Sequence, residues 1–164
     1  MADRSGFTDY VEKHSGRLLR SAYLLTQDRA RAEDLVQTAL AKAWVSWGRV
    51  SDDPTPYVYR ILTNTHASWW RRRWRGEVPT EWLPEPAGPD LTAALDDRDV
   101  MWTALARLSA RQRAVVVLHY FEGLPLTQVA QILGCSGSSV KTQLHRALTR
   151  LRVDPALQAL KEAR

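Results

Sequence analysis

Between Leu126 and Leu151 the chain reads LTQVAQILGCSGSSVKTQLHRALTRL, an order that few packed arrangements accept. Ala130 is small enough to let two helices cross closely. Gly134 stands four residues later, where a sharp turn needs a residue tolerant of positive φ. Val140 follows after six more, in the second helix. Val129, Leu133, Val140, Leu144, Leu148 and Leu151 recur at helical spacing and make one apolar stripe. The other face carries Ser138, Ser139, Lys141, Thr142, His145, Arg146 and Arg150, donors suited to base edges and phosphates. A plain helical hairpin with a solvated basic face would share the apolar spacing. The Ala–Gly–Val interval, the serines at the start of the second helix and the cations after them favour a DNA-binding helix-turn-helix.

A chain of 164 residues holds one domain or two small ones. No apolar run approaches a membrane span, and the start MADRSGFTDY is not a signal peptide. Membrane insertion is therefore not expected. The one cysteine, Cys135, excludes an internal disulfide framework and fits a reducing cytoplasm, with a packed small residue as its expected role. The net charge of +5 is unevenly placed. Residues 1–77 hold 13 Lys or Arg against 9 Asp or Glu, a net +4; residues 78–99 hold 1 against 6, a net −5; residues 100–164 hold 9 against 3, a net +6. Two basic blocks flanking an acidic strip suit two nucleic-acid-facing domains joined by a connector that avoids DNA.

Helical spacing dominates and strand alternation is scarce, so the expected class is all-α: two small helical domains joined by a flexible linker. A first helix runs from about Phe7 to Leu25, with Phe7, Val11, His14, Leu18, Ala22 and Leu25 on one side. Asp28 is placed to cap a second helix reaching about Trp47, which Gly48 and the segment VSDDPTP end. Pro56 stands near the start of a third helix running to about Arg75. The expected boundaries are residues 1–77, an acidic Pro-rich linker over 78–91, a second domain over 92–155 and a C-terminal tail over 156–164. In the second domain one helix covers about Asp97 to Leu108. Ser109 and Gln112 form a capping box for the next, Asp154-Pro155 ends the last helix, and Pro125 removes a side-chain cap at the helix-turn-helix entrance.

Three phrases precede or accompany the helix-turn-helix in a fixed order: AEDLVQTALAKAW from Ala32, PYVYRILTNTHASWWRRRWR from Pro56, and LSARQRAVVVLHYFEGLPLTQVAQILG from Leu108. With these, the chain from Phe7 to Arg152 resembles a bacterial RNA polymerase sigma factor of the extracytoplasmic-function (ECF) type. The phrases LLTQD, SWGRV and SWWRRR look most like the short actinobacterial sigma-E-like group. The resemblance implies that residues 1–77 are a region 2 domain and residues 92–155 a region 4 domain. It implies as partners core RNA polymerase, through its clamp helices and flap, promoter DNA, and an anti-sigma protein. It implies no cofactor.

On the second helix, Leu35, Val36, Ala39, Ala43 and Trp47 are expected to face inward, and Asp34, Gln37, Thr38 and Ala41 outward. In the family that helix docks on the clamp helices, so Asp34, Leu35, Gln37, Thr38 and Ala41 are the expected polymerase contacts. The third helix corresponds to the promoter-opening element. Val58, Ile61, Leu62, Thr65 and Trp69 fall on its inner side. Tyr57, Arg60, Asn64, Ser68, Trp70, Arg71 and Arg72 are the expected −10 contacts. Asn64 matches a base-contacting position, and an amide pairs well with a base edge. Tyr57, Tyr59, Trp70 and Trp74 offer π-faces for unstacked bases or else belong to the core. The loop Gly48–Thr55 resembles the family's pocket for a flipped base. In the second domain His119, Ser138, Ser139, Lys141, Thr142, His145 and Arg146 are the expected −35 contacts. Tyr57, Ser68, Pro125, His119 and Gln143 depart from common family residues, which obscures the promoter sequence but not the fold.

A catalytic function is not expected. His14, His66, His119 and His145 fall on different helices without metal-ligand spacing, and no glycine loop cradles a phosphate. Asp96, Asp97 and Asp99 suit a solvated helix start better than a cation site. The closer rival is a helix-turn-helix regulator that never joins polymerase, for which the first domain would be superfluous. A protein-interaction module without DNA reading leaves the basic face of Ser136–Arg150 unexplained. The acidic linker, with Glu81, Glu85 and Asp90, reads equally as a tether or as a segment threaded through polymerase.

Overall fold

The computed structural model describes residues 4–50, 52–75 and 97–163, and the side chains of Trp70, Arg71, Arg73, Trp74, Arg75, Asp97 and Arg98 lie outside that description. The expected linker, including Glu81, Glu85 and Asp90, also lies outside the described residues.

Helix α1 (Phe7–Thr26) turns back on itself through Gln27 and Asp28 into α2 (Arg29–Ser46). The turn is written locally. Gln27 takes the left-handed conformation, its N–H closing on the Tyr23 carbonyl. Asp28 accepts the Arg31 amide at 3.0 Å, the cap expected from sequence. After a 3-10 turn at Trp47–Arg49, α3 (Thr55–Arg75) completes a three-helix bundle. Leu18, Ala22, Leu25, Ala32, Leu35, Val36, Ala39, Ala43, Val58 and Leu62 fill it. Alanine at 32, 39 and 43 keeps α2 thin, so its neighbours approach closely on both sides. One end is closed by rings: Trp47 lies edge-on to Phe7 at 5.0 Å and tilted against Tyr10 at 5.3 Å.

The second bundle begins with α4 (Asp97–Ala106) and α5 (Ala110–Val116). Ser109 and Gln112 exchange side-chain to backbone bonds at 3.2 and 3.3 Å, the anticipated capping box. Beyond Val116 the backbone widens into a π-helical turn, Val117–Phe121, which no periodicity argument anticipated. Then come α6 (Leu126–Leu133), a turn through Gly134 at φ 67°, and α7 (Gly137–Arg152). Asp154 does not simply end the chain's helical part. It caps a further helix, α8 (Pro155–Glu162), accepting the Ala156 amide at 3.0 Å and pairing with Arg107 at 2.8 Å. The expected tail over 156–164 is corrected accordingly: Pro at the first helical position starts helices as well as following them, and α8 packs on α4.

The two bundles share one core. Val115, Leu118, Val129 and Ile132 belong to the same apolar cluster as Leu18, Leu35 and Leu62, and Leu24 packs against Leu105, Leu108 and Val116. The Tyr23 and Trp102 rings stack across the junction at 5.6 Å. Arg113 crosses it with its guanidinium, donating to Leu25 O at 2.6 Å in one bundle and to Leu105 O at 2.9 Å and Leu108 O at 3.1 Å in the other. Burial lowers Arg113 to about 10, which leaves it charged at neutral pH.

His66 sits on the α3 side of this junction with its Nε2 buried and without a hydrogen-bond partner. Burial, then the charges of Arg113 and Arg31, lowers the imidazole to about 4. The unfolded chain takes up that proton near pH 6.5, whereas the folded chain resists it until about 4. The contribution is therefore intact above pH 6.5 and is lost as pH falls towards 4, up to about 3 kcal/mol. Denaturant melts of the wild-type chain and His66→Leu between pH 7 and pH 4 should show the wild-type losing about that much more stability than the variant. Parallel pH profiles would mean that His66 is not the group responsible.

Candidate nucleic-acid interface

Three surfaces follow from which faces the shared core has already used. On α7, Val140 and Ala147 are buried and Leu144 is half-buried against the core, which turns Ser138, Lys141, Thr142, His145 and Arg146 to the exposed side. The helix starts on a tight local network. Ser136 Oγ accepts the Ser139 amide at 3.1 Å and lies 3.1 Å from Ser138 Oγ, and Thr142 Oγ1 donates to Ser138 O at 3.0 Å. The Ser139 amide is therefore committed to the cap, and Ser139 itself is half-buried. That leaves Ser138, Lys141 and Arg146 among the exposed polar groups near this end. His119 is half-buried in the π-helical turn, with Nδ1 on Leu124 O at 2.7 Å and its ring edge-on to Tyr120. Its Nδ1 is thereby engaged by the chain's own backbone. Sequence reading missed a groove running from the start of α5 to the end of α7, where Ser109 and Gln112 face His145, Arg146, Thr149 and Arg150. Only the packing of α5 on α7 brings these residues together.

On α3, Arg60, Asn64 and Ser68 follow at one-turn intervals along one stripe, continued by the exposed Arg72. Asn64 and Arg60 are exposed, and Ser68 is half-buried. Tyr57 is half-buried against the core, so only part of its ring is available. Tyr59 is 1% exposed and belongs to the core, which removes it from the candidate stacking rings. Burial and the neighbouring Glu122 charge raise its hydroxyl well above the usual range. Trp70, Arg71 and Trp74 were expected at the interface too, and their side chains lie outside the described residues. Lys42 Nζ donates to Thr65 Oγ1 at 3.1 Å and ties α2 to the base of the stripe.

The loop after α2 does line a cavity, of about 530 Å³. Its walls are Gly48, Val50, Asp52 and Pro54 on one side and Asp9, Tyr10, Lys13 and His14 of α1 on the other. The α1 wall was not foreseen, because no local pattern says which helix a loop will face. The His14 ring stacks on Tyr10 at 4.2 Å, so one side of the cavity is a fixed aromatic pair. The space is large enough for a nucleobase, with hydrogen-bonding groups on both walls.

On α2, Asp34, Gln37 and Ala41 are exposed and Thr38 is half-buried. Val45 extends the same arc and is 70% exposed, a residue that sequence reading passed over. Leu35 is 0% exposed. Its assignment as a polymerase contact is corrected: it packs inside, one position away from the face it was grouped with. Among the described residues, no group of His, Cys, Asp or Glu is arranged to hold a metal ion, and no helix is long and apolar enough to cross a membrane.

The two bundles coincide with known family patterns. Residues 10–76 match Sigma-70 region 2, and residues 98–151 match Sigma-70, region 4. The chain is 43% identical over 148 residues to the RNA polymerase sigma-E factor of Streptomyces coelicolor, covering 89% of this chain and 84% of that protein. It is 35% identical over 149 residues to the ECF RNA polymerase sigma factor SigL of Mycobacterium tuberculosis, covering 87% of this chain and 84% of SigL. Among solved structures, the sigma factor RpoE in complex with the anti-sigma factor NepR from Bartonella quintana superposes with a TM-score of 0.74 at 29% identity, covering 90% of this chain and 98% of RpoE. That superposition takes in both bundles, since region 2 is less than half of the chain. With both regions in order and relatives matched over most of their length, the chain belongs to the extracytoplasmic-function family of RNA polymerase sigma factors.

Proposed function

We propose that the chain joins core RNA polymerase through α2, reads the −35 element with α7, and opens the −10 element with α3 and the cavity beside the 48–55 loop. The observation that carries this reading is the division of labour among helices. The face of each that is not used by the shared core holds the chemistry its task requires. The α2 face sets polar Asp34, Gln37 and Thr38 beside apolar Ala41 and Val45, which suits close contact with partner helices. The α7 face carries Lys141, His145 and Arg146, which suit a groove walled by phosphates. The α3 stripe offers an amide between cations, and the cavity gives an extruded base somewhere to stay. Such a protein supplies binding energy and catalyses no reaction of its own. Its place of work is the cytoplasm, with the polymerase.

Run-off transcription with purified chain and core polymerase on genomic promoter fragments tests the whole reading. Promoter-dependent transcripts are expected. DNA binding without polymerase-dependent initiation would favour a stand-alone regulator instead.

Each surface has its own test. Asp34→Lys combined with Ala41→Trp should weaken core polymerase binding at least tenfold in a titration while circular dichroism stays helical; unchanged affinity would reject the α2 face. Asn64→Ala should leave −35-dependent duplex binding intact and reduce strand opening by about 1–3 kcal/mol, the worth of one base-reading pair. Permanganate reactivity of promoter thymines measures it, and normal reactivity would remove Asn64 from the opening step. Lys141→Ala and Arg146→Ala should each lower −35-dependent transcription. A lost phosphate contact lowers the salt slope by about one unit for all sequences, whereas a lost base contact relaxes a single position. Normal transcription by the double variant across a −35 mutant library would show that α7 is not the reader.

A further inference from the structure

We propose that the free chain is self-closed and that Glu122 is its latch, held by Arg17 and Ser21 across the junction between region 2 and region 4. Glu122 lies just after the π-helical turn, with its N–H on Val117 O at 3.0 Å, so the wide turn decides where its side chain points. That side chain is 4% exposed. Its carboxylate accepts Arg17 Nε at 2.5 Å and the Ser21 hydroxyl, and its backbone carbonyl accepts Arg17 Nη2 at 3.2 Å. Arg17 and Ser21 are one turn apart on α1, so a single helix face grips the acid from region 4. A carboxylate buried there without those partners would be strongly disfavoured, whereas in an opened chain water solvates it. The pair therefore specifies one closed arrangement without making opening prohibitive.

Closure excludes the promoter-bound geometry. Elements centred near −35 and −10 are separated by roughly 25 base pairs, or about 85 Å of duplex. In the closed chain the −10 stripe touches the first helix of the helix-turn-helix: Arg60 Nη2 donates to Gln131 O at 2.6 Å, and α3 packs on α6. One of the residues assigned to the −10 element is thus occupied by the module assigned to the −35 element. RpoE shares both bundles in one superposition in its complex with NepR. In this chain the closure is made by its own side chains. The inference rests on the function proposed above only for its consequence in transcription; the closure itself is a property of the free chain.

The test places spin labels at Ala30→Cys on α2 and Ala159→Cys on α8, both exposed, in a Cys135→Ser background. Pulsed electron paramagnetic resonance on the free chain should give one narrow, short distance. Glu122→Arg and Arg17→Glu should each broaden and lengthen it. The double charge swap should bring the narrow distance back, which a general loss of packing would not do. Circular dichroism guards against unfolding, and Glu122→Gln, the milder variant, should show a partial opening. With limiting core polymerase, Glu122→Arg should assemble initiating complexes roughly three- to tenfold faster than wild type, because closed chains no longer tax the competent fraction. A broad, long distance in the wild-type chain would overturn the proposal, as would single reversals that leave the distance narrow. If the distances behave as expected but no variant supports transcription, the latch stands and the functional reading falls.

Discussion

A single buried guanidinium finishes two helices and sets the angle between two bundles. Arg113 supplies the last turns of α1 and α4 with donors that their own backbones lack. Without it, buried carbonyls on both sides of the junction would go unmet, each at a cost of roughly 1–3 kcal/mol. The planar fork matters, because a lysine could not address Leu25 on one side and Leu105, Ala106 and Leu108 on the other. The cost is a desolvated cation, visible as the lowering of Arg113 to about 10. The low value of His66 is partly the same fact seen from its neighbour, since the Arg113 charge opposes a second proton nearby.

With the interior so fully committed, the outer faces are decided by subtraction. Helix α2 uses Ala32, Leu35, Val36, Ala39 and Ala43 inside, so it can offer a partner only the arc containing Asp34, Gln37, Ala41 and Val45. Helix α7 is fixed in rotation by Val140 and Ala147, and only then do Lys141, Thr142, His145 and Arg146 share one exposed face. A recognition surface of this kind is precise because the side chains behind it cannot turn.

The features legible in the sequence were those written within a few residues. Asp28, the Ser109–Gln112 box, Gly134 and Ser136 each act on backbone groups two to four positions away, and each ends or starts a helix where expected. The inward stripes of α2 and α3 were equally readable from period alone. What escaped was set by distant partners. Tyr59 carries the same ring as Tyr57 two residues earlier, yet only the packed structure says that one is core and the other half-exposed. Leu35 was grouped with its polar neighbours by family likeness, against its own period. The π-helical turn has no signature in VLHYF, and Glu122 looks like any surface acid until α1 is laid beside it. Helix α8 was missed because Asp-Pro signals a boundary without saying on which side the helix lies.

The junction between the bundles combines two kinds of interaction with different effects. Apolar contact, with Leu24 set among Leu105, Leu108 and Val116, drives closure but tolerates small rotations, since hydrophobic attraction has no direction. The polar contacts behave oppositely. The Arg17–Glu122 pair joins an exposed guanidinium to a buried carboxylate, so its attraction is largely offset by the desolvation of Glu122, yet it is satisfied in only one geometry. Together they give a closed state that is well defined but only moderately favoured. An interface built entirely of leucine would close more firmly and less uniquely. A sigma factor, which engages both promoter DNA and core RNA polymerase, is better served by the mixed junction than by an all-leucine one. A partner that favours the open chain then has to outweigh the apolar contact and the small net worth of the polar ones, because every polar group released from the junction finds water waiting for it.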